Sequence, residues 1–290
     1  MADIRFRPLW PGLLAGALLI TGAAGLAVCR PAAVGAEQVA TAAIEQQIRS
    51  AMANPVRTEQ QRARDTYRHP LETLTFFGLR PEMTVVELWP GGGWYTTILA
   101  PVVAERGKLV VSTFDANGPK ESGMTRSARA LNERLASDPK TYGKVQTVLV
   151  APPDNLTLGP DNSADLVLTF RNIHNWAAAG YEDKVYAAAF KVLKKGGTFG
   201  VEEHRARPGV SVAESIKTGY MPEDYVIKKI EAAGFKLTSK SEINANPRDT
   251  RDHVGGVWTL PPTLSQGEKD REKYLAIGES DRMTLKFTKP

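Results

Sequence analysis

From Met83 to Phe235 short apolar runs alternate with amphipathic stretches. "MTVVELW" (83–89), "GKLVVSTF" (107–114), "KVQTVLVA" (144–151), "ADLVLTFRN" (164–172) and "GTFGVEEH" (197–204) read as strands. Between and after them, "WYTTILAPVVAE" (94–105), "SGMTRSARALNERLASD" (122–138), "YEDKVYAAAFKVLKKG" (181–196) and "MPEDYVIKKIEAAGF" (221–235) carry helical periodicity. The third of these is expected to stop at Gly196 and Gly197. Strands that alternate with helices of about ten to fifteen residues predict βαβ units and a mostly parallel sheet. The first strands are nearly continuous Val and Leu, as a sheet covered on both faces requires. "FKLTSKSEI" (235–243) and "DRMTLKFTK" (281–289) alternate polar and apolar residues instead, which suits an edge or an antiparallel pair. The stretch from Asn244 to Glu279 reads as a long irregular excursion before the last strand.

Upstream, residues 37–80 form a polar helical segment punctuated by Pro55 and Pro70. Residues 1–36 differ again. Arg5 and Arg7 precede an uncharged apolar run from Leu13 to Val28, and Val34 and Ala36 supply small residues before a cut at Glu37. That order is the pattern of a secretory signal peptide, with an uncleaved single anchor as the alternative. It predicts a periplasmic or secreted protein with no stable membrane span after cleavage. Cys29 is the only cysteine, so the mature chain has no disulfide, thiolate nucleophile or Cys-based zinc site. "LAVC" departs from a lipobox because Val28 precedes the cysteine. The net charge of +5 contains no run of Lys and Arg interleaved with aromatics, which speaks against a nucleic-acid partner.

In order and spacing the chain resembles the class I S-adenosylmethionine-dependent methyltransferases. It is most similar to a poorly characterised group of bacterial predicted methyltransferases, through "RHPLETLTFFGLRPEMTVVELWPGGGWYT", "RNIHNW", "VLKKGGTFGVEEHRA" and "NPRDTRDHVGGVWTLPP". The resemblance covers the chain from about Tyr67 to the end and implies a doubly wound α/β fold over residues 81–290. Its sheet would have seven strands, mostly parallel, with an antiparallel last strand and helices on both faces. The cofactor it implies is S-adenosylmethionine. The family's acid and G-x-G-x-G loop fall on Glu87, Trp89, Gly91 and Gly93, with Trp89 in place of the first glycine. Its ribose-binding acid falls on Asp115, slightly later than the usual position at Thr113, and its adenine-contacting acid on Asp154, beside Asn155. Arg68, in a segment able to close over the methionine end, either neutralises a carboxylate or lies on the surface.

Methyl transfer requires placement of a nucleophile and, for a protonated acceptor, removal of a proton. Catalytic groups are therefore expected at the carboxyl ends of the strands. Asn172 and His174 meet that condition after the fourth strand, and Glu203, His204 and Arg205 after the fifth. His174 is the first choice for a base, because its ordinary pKa suits neutral pH. Against that stands a role in shaping the pocket; for Glu203 the alternative is a buried pair with Arg205. Tyr220 either lines the acceptor pocket or packs in the core. His174, His204 and His253 lack metal-ligand spacing, so no metal is expected. Three functions stay open: a methyltransferase with a small acceptor, a non-catalytic exported binding protein on the same fold, and a different enzyme on that scaffold.

Overall fold

The computed structural model describes residues 31–290, with side chains from Val39 onward. The chain divides into residues 1–38 and a unit of residues 39–290; only the second bears on the site. The leader read at 1–36 lies outside the described residues, except for the backbone of 31–36 at the start of the first helix. Among the described residues no helix is long and apolar enough to cross a membrane.

Four helices precede the sheet: α1 (Pro31–Met52), α2 (Glu59–Ala63), α3 (Asp65–Arg68) and α4 (Pro70–Phe77). Then follow β1 (Thr84–Leu88), α5 (Thr96–Val103), β2 (Lys108–Thr113), α6 (Gly123–Ser137), α7 (Pro139–Tyr142) and β3 (Gln146–Leu149). The chain continues through β4 (Ala164–Phe170), α8 (Ile173–Ala179), α9 (Glu182–Val192), β5 (Leu193–His204), α10 (Val212–Thr218) and α11 (Glu223–Ala232). It closes with β6 (Lys236–Ser241), α12 (Arg271–Ile277) and β7 (Arg282–Thr288).

The seven strands run in the order β3-β2-β1-β4-β5-β7-β6. β1 to β5 pair in parallel, and β7 inserts antiparallel between β5 and β6. This is the doubly wound α/β sheet expected from the sequence. The chain winds outward from β1 to β3 and then restarts at β4 on the other side of β1. That reversal opens a crevice beyond the carboxyl ends of β1 and β4. Each face of the sheet buries an apolar layer. One layer sets Val86, Val167 and Phe199 against Trp176, Val185, Tyr186 and Ile230. The other sets Val85, Leu166 and Leu168 against Ile48, Leu74, Phe77, Ile98 and Leu131. The helices of 39–80 therefore pack on the sheet. Phe77 approaches so closely that a Cβ on Gly200 of β5 would lie 2.7 Å from its ring.

Two features differ from the sequence expectation. The helix expected to reach Gly196 ends at Val192, because Leu193 is buried and pairs with Ala164 of β4. The chain then bulges over residues 194–197, where Gly196 takes φ +78°, before pairing resumes at Thr198. The excursion from Asn244 to Glu279 contains a 3-10 turn (Gly256–Thr259) and α12, and it is tied down by buried polar groups. Asp249, 2% exposed, accepts from Tyr220 Oη, the His253 ring, and the backbone N–H groups of Arg251 and Asp281. Tyr220 thus packs in the core, and its phenol is pushed up by burial and then by Asp249.

Candidate active site

The turn after β1 is held on three sides. Ser112 Oγ of β2 accepts from the Trp89 N–H at 3.1 Å, Asn172 Nδ2 donates to the Leu88 carbonyl at 3.0 Å, and Arg134 of α6 donates to the Gly92 carbonyl. Trp89, at the position where the resemblance led to the expectation of a glycine, occupies the left-handed region at φ 44°. Such a conformation costs a bulky residue about 1–3 kcal/mol and persists only when its surroundings impose it. Here the indole packs against Trp176 and Phe114 at centroid distances of 4.9 and 5.9 Å. Gly91 has φ 58°, and a Cβ built on it meets nothing within 4 Å. The backbone at Gly91 therefore faces open space, as close approach of a ligand requires.

Glu87 is fully buried beneath this turn and accepts from Thr96 Oγ1 of α5 at 2.6 Å. It fixes the start of the following helix through that side chain. Burial raises its pKa to about 7, against the smaller opposing effects of the Thr96 bond and Arg171. A carboxyl raised on folding stabilises the native state fully below its unfolded pKa near 4.5, and this contribution fades as pH rises through 7. Glu87→Gln, which keeps an acceptor for Thr96, is therefore expected to flatten the pH dependence of stability between 4.5 and 7. Denaturant melts across that range check it; an unchanged slope would show that Glu87 does not titrate there.

Two cavities meet at the turn and share Trp89, Gly91, Asn172 and Asn175. The first, about 460 Å³, is walled by Phe114, Met124 and Trp176 and by Ser122 and Ser127 at the start of α6. The second, about 340 Å³, is walled by Arg64, Arg68 and Arg171, with His174 and His204 and with Trp258 and Pro261 of the late excursion. Both volumes fall in the range of small-molecule sites, about 300–1,000 Å³.

Consecutive residues of β5 point to opposite faces, so Glu202 and Glu203 anchor different walls. Glu202, fully buried, accepts from Arg171 at 2.5 Å, Arg282 at 2.9 Å and Tyr95 Oη at 3.0 Å. Glu279 accepts from Arg64 Nε at 2.6 Å, Arg68 Nε at 3.1 Å and Arg282 at 3.3 Å. Burial opposes ionisation of both carboxyls, but the arginines outweigh it: Glu202 is lowered, and Glu279 falls to about 2. On the other face Glu203 accepts from the Ile173 N–H at 2.5 Å, the His204 N–H at 2.8 Å and His174 Nδ1 at 3.0 Å. A carboxylate accepts only, so His174 carries its proton on Nδ1 and keeps Nε2 as a lone-pair site. His204 bonds Ser280 Oγ through Nδ1 at 2.6 Å, and its imidazole is pushed well below its ordinary pKa by burial and then by His174 and the nearby arginines.

Asn172 and His174 both line the second cavity, and Glu203, buried behind His174, bonds its Nδ1. The partner of Glu203 is not Arg205, which pairs with Asp281, Glu242 and Glu223. Trp89, Gly91 and Arg68 line the cavities, while Glu87 and Gly93 lie beneath the turn. Asp115, Asp154 and Asn155 are exposed and line neither cavity; Asp115 instead accepts from the Asn117 N–H and Asn155 from the Thr157 N–H. Phe114 takes the cavity-facing position beside Asp115. His174, Glu203 and His204 bring one possible metal-ligand atom each to within 4.8 Å of one another. Both Glu203 oxygens are already engaged, however, and the neighbouring arginines oppose a cation. His253 lies elsewhere, on Asp249. The arginine cluster, with Arg171, Arg282, Tyr95 and Glu279, was missed in the sequence; "VEEH" was its signal, since two adjacent acids in an apolar strand require partners on both faces.

No protein-family model and no curated protein matches the chain in sequence. Solved structures do match its fold, which is the Rossmann-like fold of the class I methyltransferases. An S-adenosylmethionine-dependent methyltransferase from Aquifex aeolicus shares 17% identity at a TM-score of 0.50, over 85% of this chain and 98% of that one. Geranyl diphosphate C-methyltransferase from Streptomyces coelicolor A3(2), solved with Mg2+, geranyl diphosphate and S-adenosylhomocysteine, shares 11% at 0.53, over 83% and 88%. The [4+2]-cyclase SpnF shares 17% at 0.50, over 82% and 85%. One fold thus carries different reactions, and function has to be argued from the site.

Proposed function

We propose that this chain is an S-adenosylmethionine-dependent methyltransferase acting on a small acceptor outside the cytoplasm. The carrying observation is the junction at Trp89, Gly91 and Asn172, where a glycine backbone open to solvent separates an aromatic-walled cavity from one holding an oriented histidine. Phe114, Met124 and Trp176 offer the apolar walls that a purine needs, and Gly91 and the unpartnered Asn172 Oδ1 would receive the amino-acid end. When bound, the cofactor supplies an electrophilic methyl group on a sulfonium. The chain's own part is placement and proton removal. His174, fixed through Nδ1 by Glu203, takes the acceptor's proton on Nε2, while Trp258 and Pro261 form part of the second cavity's wall. The leader pattern of residues 1–36 supports the exported location.

Ultraviolet cross-linking of the full chain with methyl-labelled S-adenosylmethionine tests the placement. Label is expected on peptides containing Trp89, Phe114 or Trp176, and to be suppressed by excess S-adenosylhomocysteine. Label confined to other peptides, or unaffected by the competitor, would refute it.

A further inference from the structure

The arginine wall of the second cavity is not fully used by the protein. Arg64, Arg68, Arg171 and Arg282 meet two carboxylates, Glu202 and Glu279, an excess of two positive charges in one cluster. A guanidinium carries five N–H donors. Arg64 and Arg68 each use only Nε, toward Glu279, and the side chain of Arg171 uses only one terminal nitrogen, toward Glu202. Among the described residues, the Arg68 guanidinium otherwise lies on the face of Trp94, 4.6 Å away, although Arg68 is only 5% exposed. Buried charges are ordinarily paired and hydrogen-bonded. The consequence shows in Arg68, whose pKa falls to about 9 through burial and then the Arg171 charge. Glu279 is the only acid on the cavity wall, and it already serves three arginines.

We propose that the acceptor is an oxyanion, a small molecule bearing a carboxylate or phosphate, held by Arg64, Arg68 and Arg171 with its reacting atom toward His174. The planar forks of arginine match the paired oxygens of such groups. The inference rests on the methyltransferase reading in one respect, the nature of the co-bound molecule. S-adenosylmethionine carries one carboxylate against an ammonium and a sulfonium, so its net charge is positive and leaves the excess for the acceptor to meet.

The test is calorimetric titration of the full chain with inorganic phosphate and with succinate, glycerol serving as the neutral control, before and after saturation with S-adenosylhomocysteine. One or both oxyanions are expected to bind, also in the presence of S-adenosylhomocysteine, and the tighter of the two identifies the group. Arg68→Gln and Arg64→Gln are each expected to weaken that binding about tenfold or more. Arg64 is partly exposed at the edge of the cluster, so its variant serves if Arg68→Gln does not fold. Three results would overturn the proposal: no oxyanion binding, equal binding by the folded variants, or displacement of the oxyanion by S-adenosylhomocysteine. The last would assign the arginines to the cofactor's carboxylate. Oxyanion binding without any S-adenosylhomocysteine binding would keep the anion site and remove the methyltransferase reading instead.

Discussion

Glu202→Gln is expected to destabilise the folded protein by about 3–5 kcal/mol, the cost of leaving a buried charge without its partner. The carboxylate is completely buried and accepts from Arg171, Arg282 and Tyr95. Glutamine removes the negative charge and turns an NH2 group toward donors, so the cluster's positive excess grows. Native stability is commonly only about 5–15 kcal/mol, so a loss of that size shows clearly in denaturant melts. Glu203→Gln is expected to cost less, because no arginine loses a partner there, although one amide oxygen keeps the His204 N–H and His174 bonds or the Ile173 N–H bond but not both. A loss below about 1 kcal/mol for Glu202→Gln, the value of an exposed pair, would mean that the arginines find other partners. The same cluster sets an acid limit. Glu279 falls to about 2 from the ordinary 4.5, so its contribution is present above pH 4.5 and is lost as pH drops through 2.

Gly91→Val is expected to reduce cofactor affinity by on the order of 100-fold, about 2.7 kcal/mol, while the protein still folds. A side chain at Gly91 projects into the space between the cavities and meets no protein atom within 4 Å. Its cost to the fold is backbone strain at φ 58°, about 1–3 kcal/mol. Gly93→Val provides the contrast. A Cβ there would lie 3.2 Å from Leu131 and 3.3 Å from Thr96, so it disturbs the packing of α5 and α6 before it reaches any ligand. Binding titrations and melts on both variants separate the two effects. Unchanged affinity in Gly91→Val would remove the turn from the site.

The parts of this arrangement that were legible in the sequence are those set by local pattern. Continuous Val and Leu runs gave the inner strands, and the alternation in 281–289 marked β7. The acid and glycines after β1 located the turn, and the position of His174 and Glu203 after successive strands brought them together. What the pattern did not carry was chemistry between distant positions. Arg64 and Glu279 are 215 residues apart, and no periodicity joins them. The strand end at Thr113 shows a second limit. Asp115 is the acid nearest the family's position, but it lies beyond the end of β2, where Phe114 lines the cavity and Asp115 is exposed. Trp89 was visible as a departure from the glycine motif; that Trp176 and Phe114 hold it in a left-handed conformation is a contact between distant positions, which no local pattern carries.

The central claim is that the junction at Gly91 binds S-adenosylmethionine, and calorimetric titration of the full chain with S-adenosylmethionine and S-adenosylhomocysteine tests it most directly. Single-site binding of either at micromolar affinity is the predicted result. No heat of binding from the folded protein would contradict the account and leave the two cavities to a different ligand.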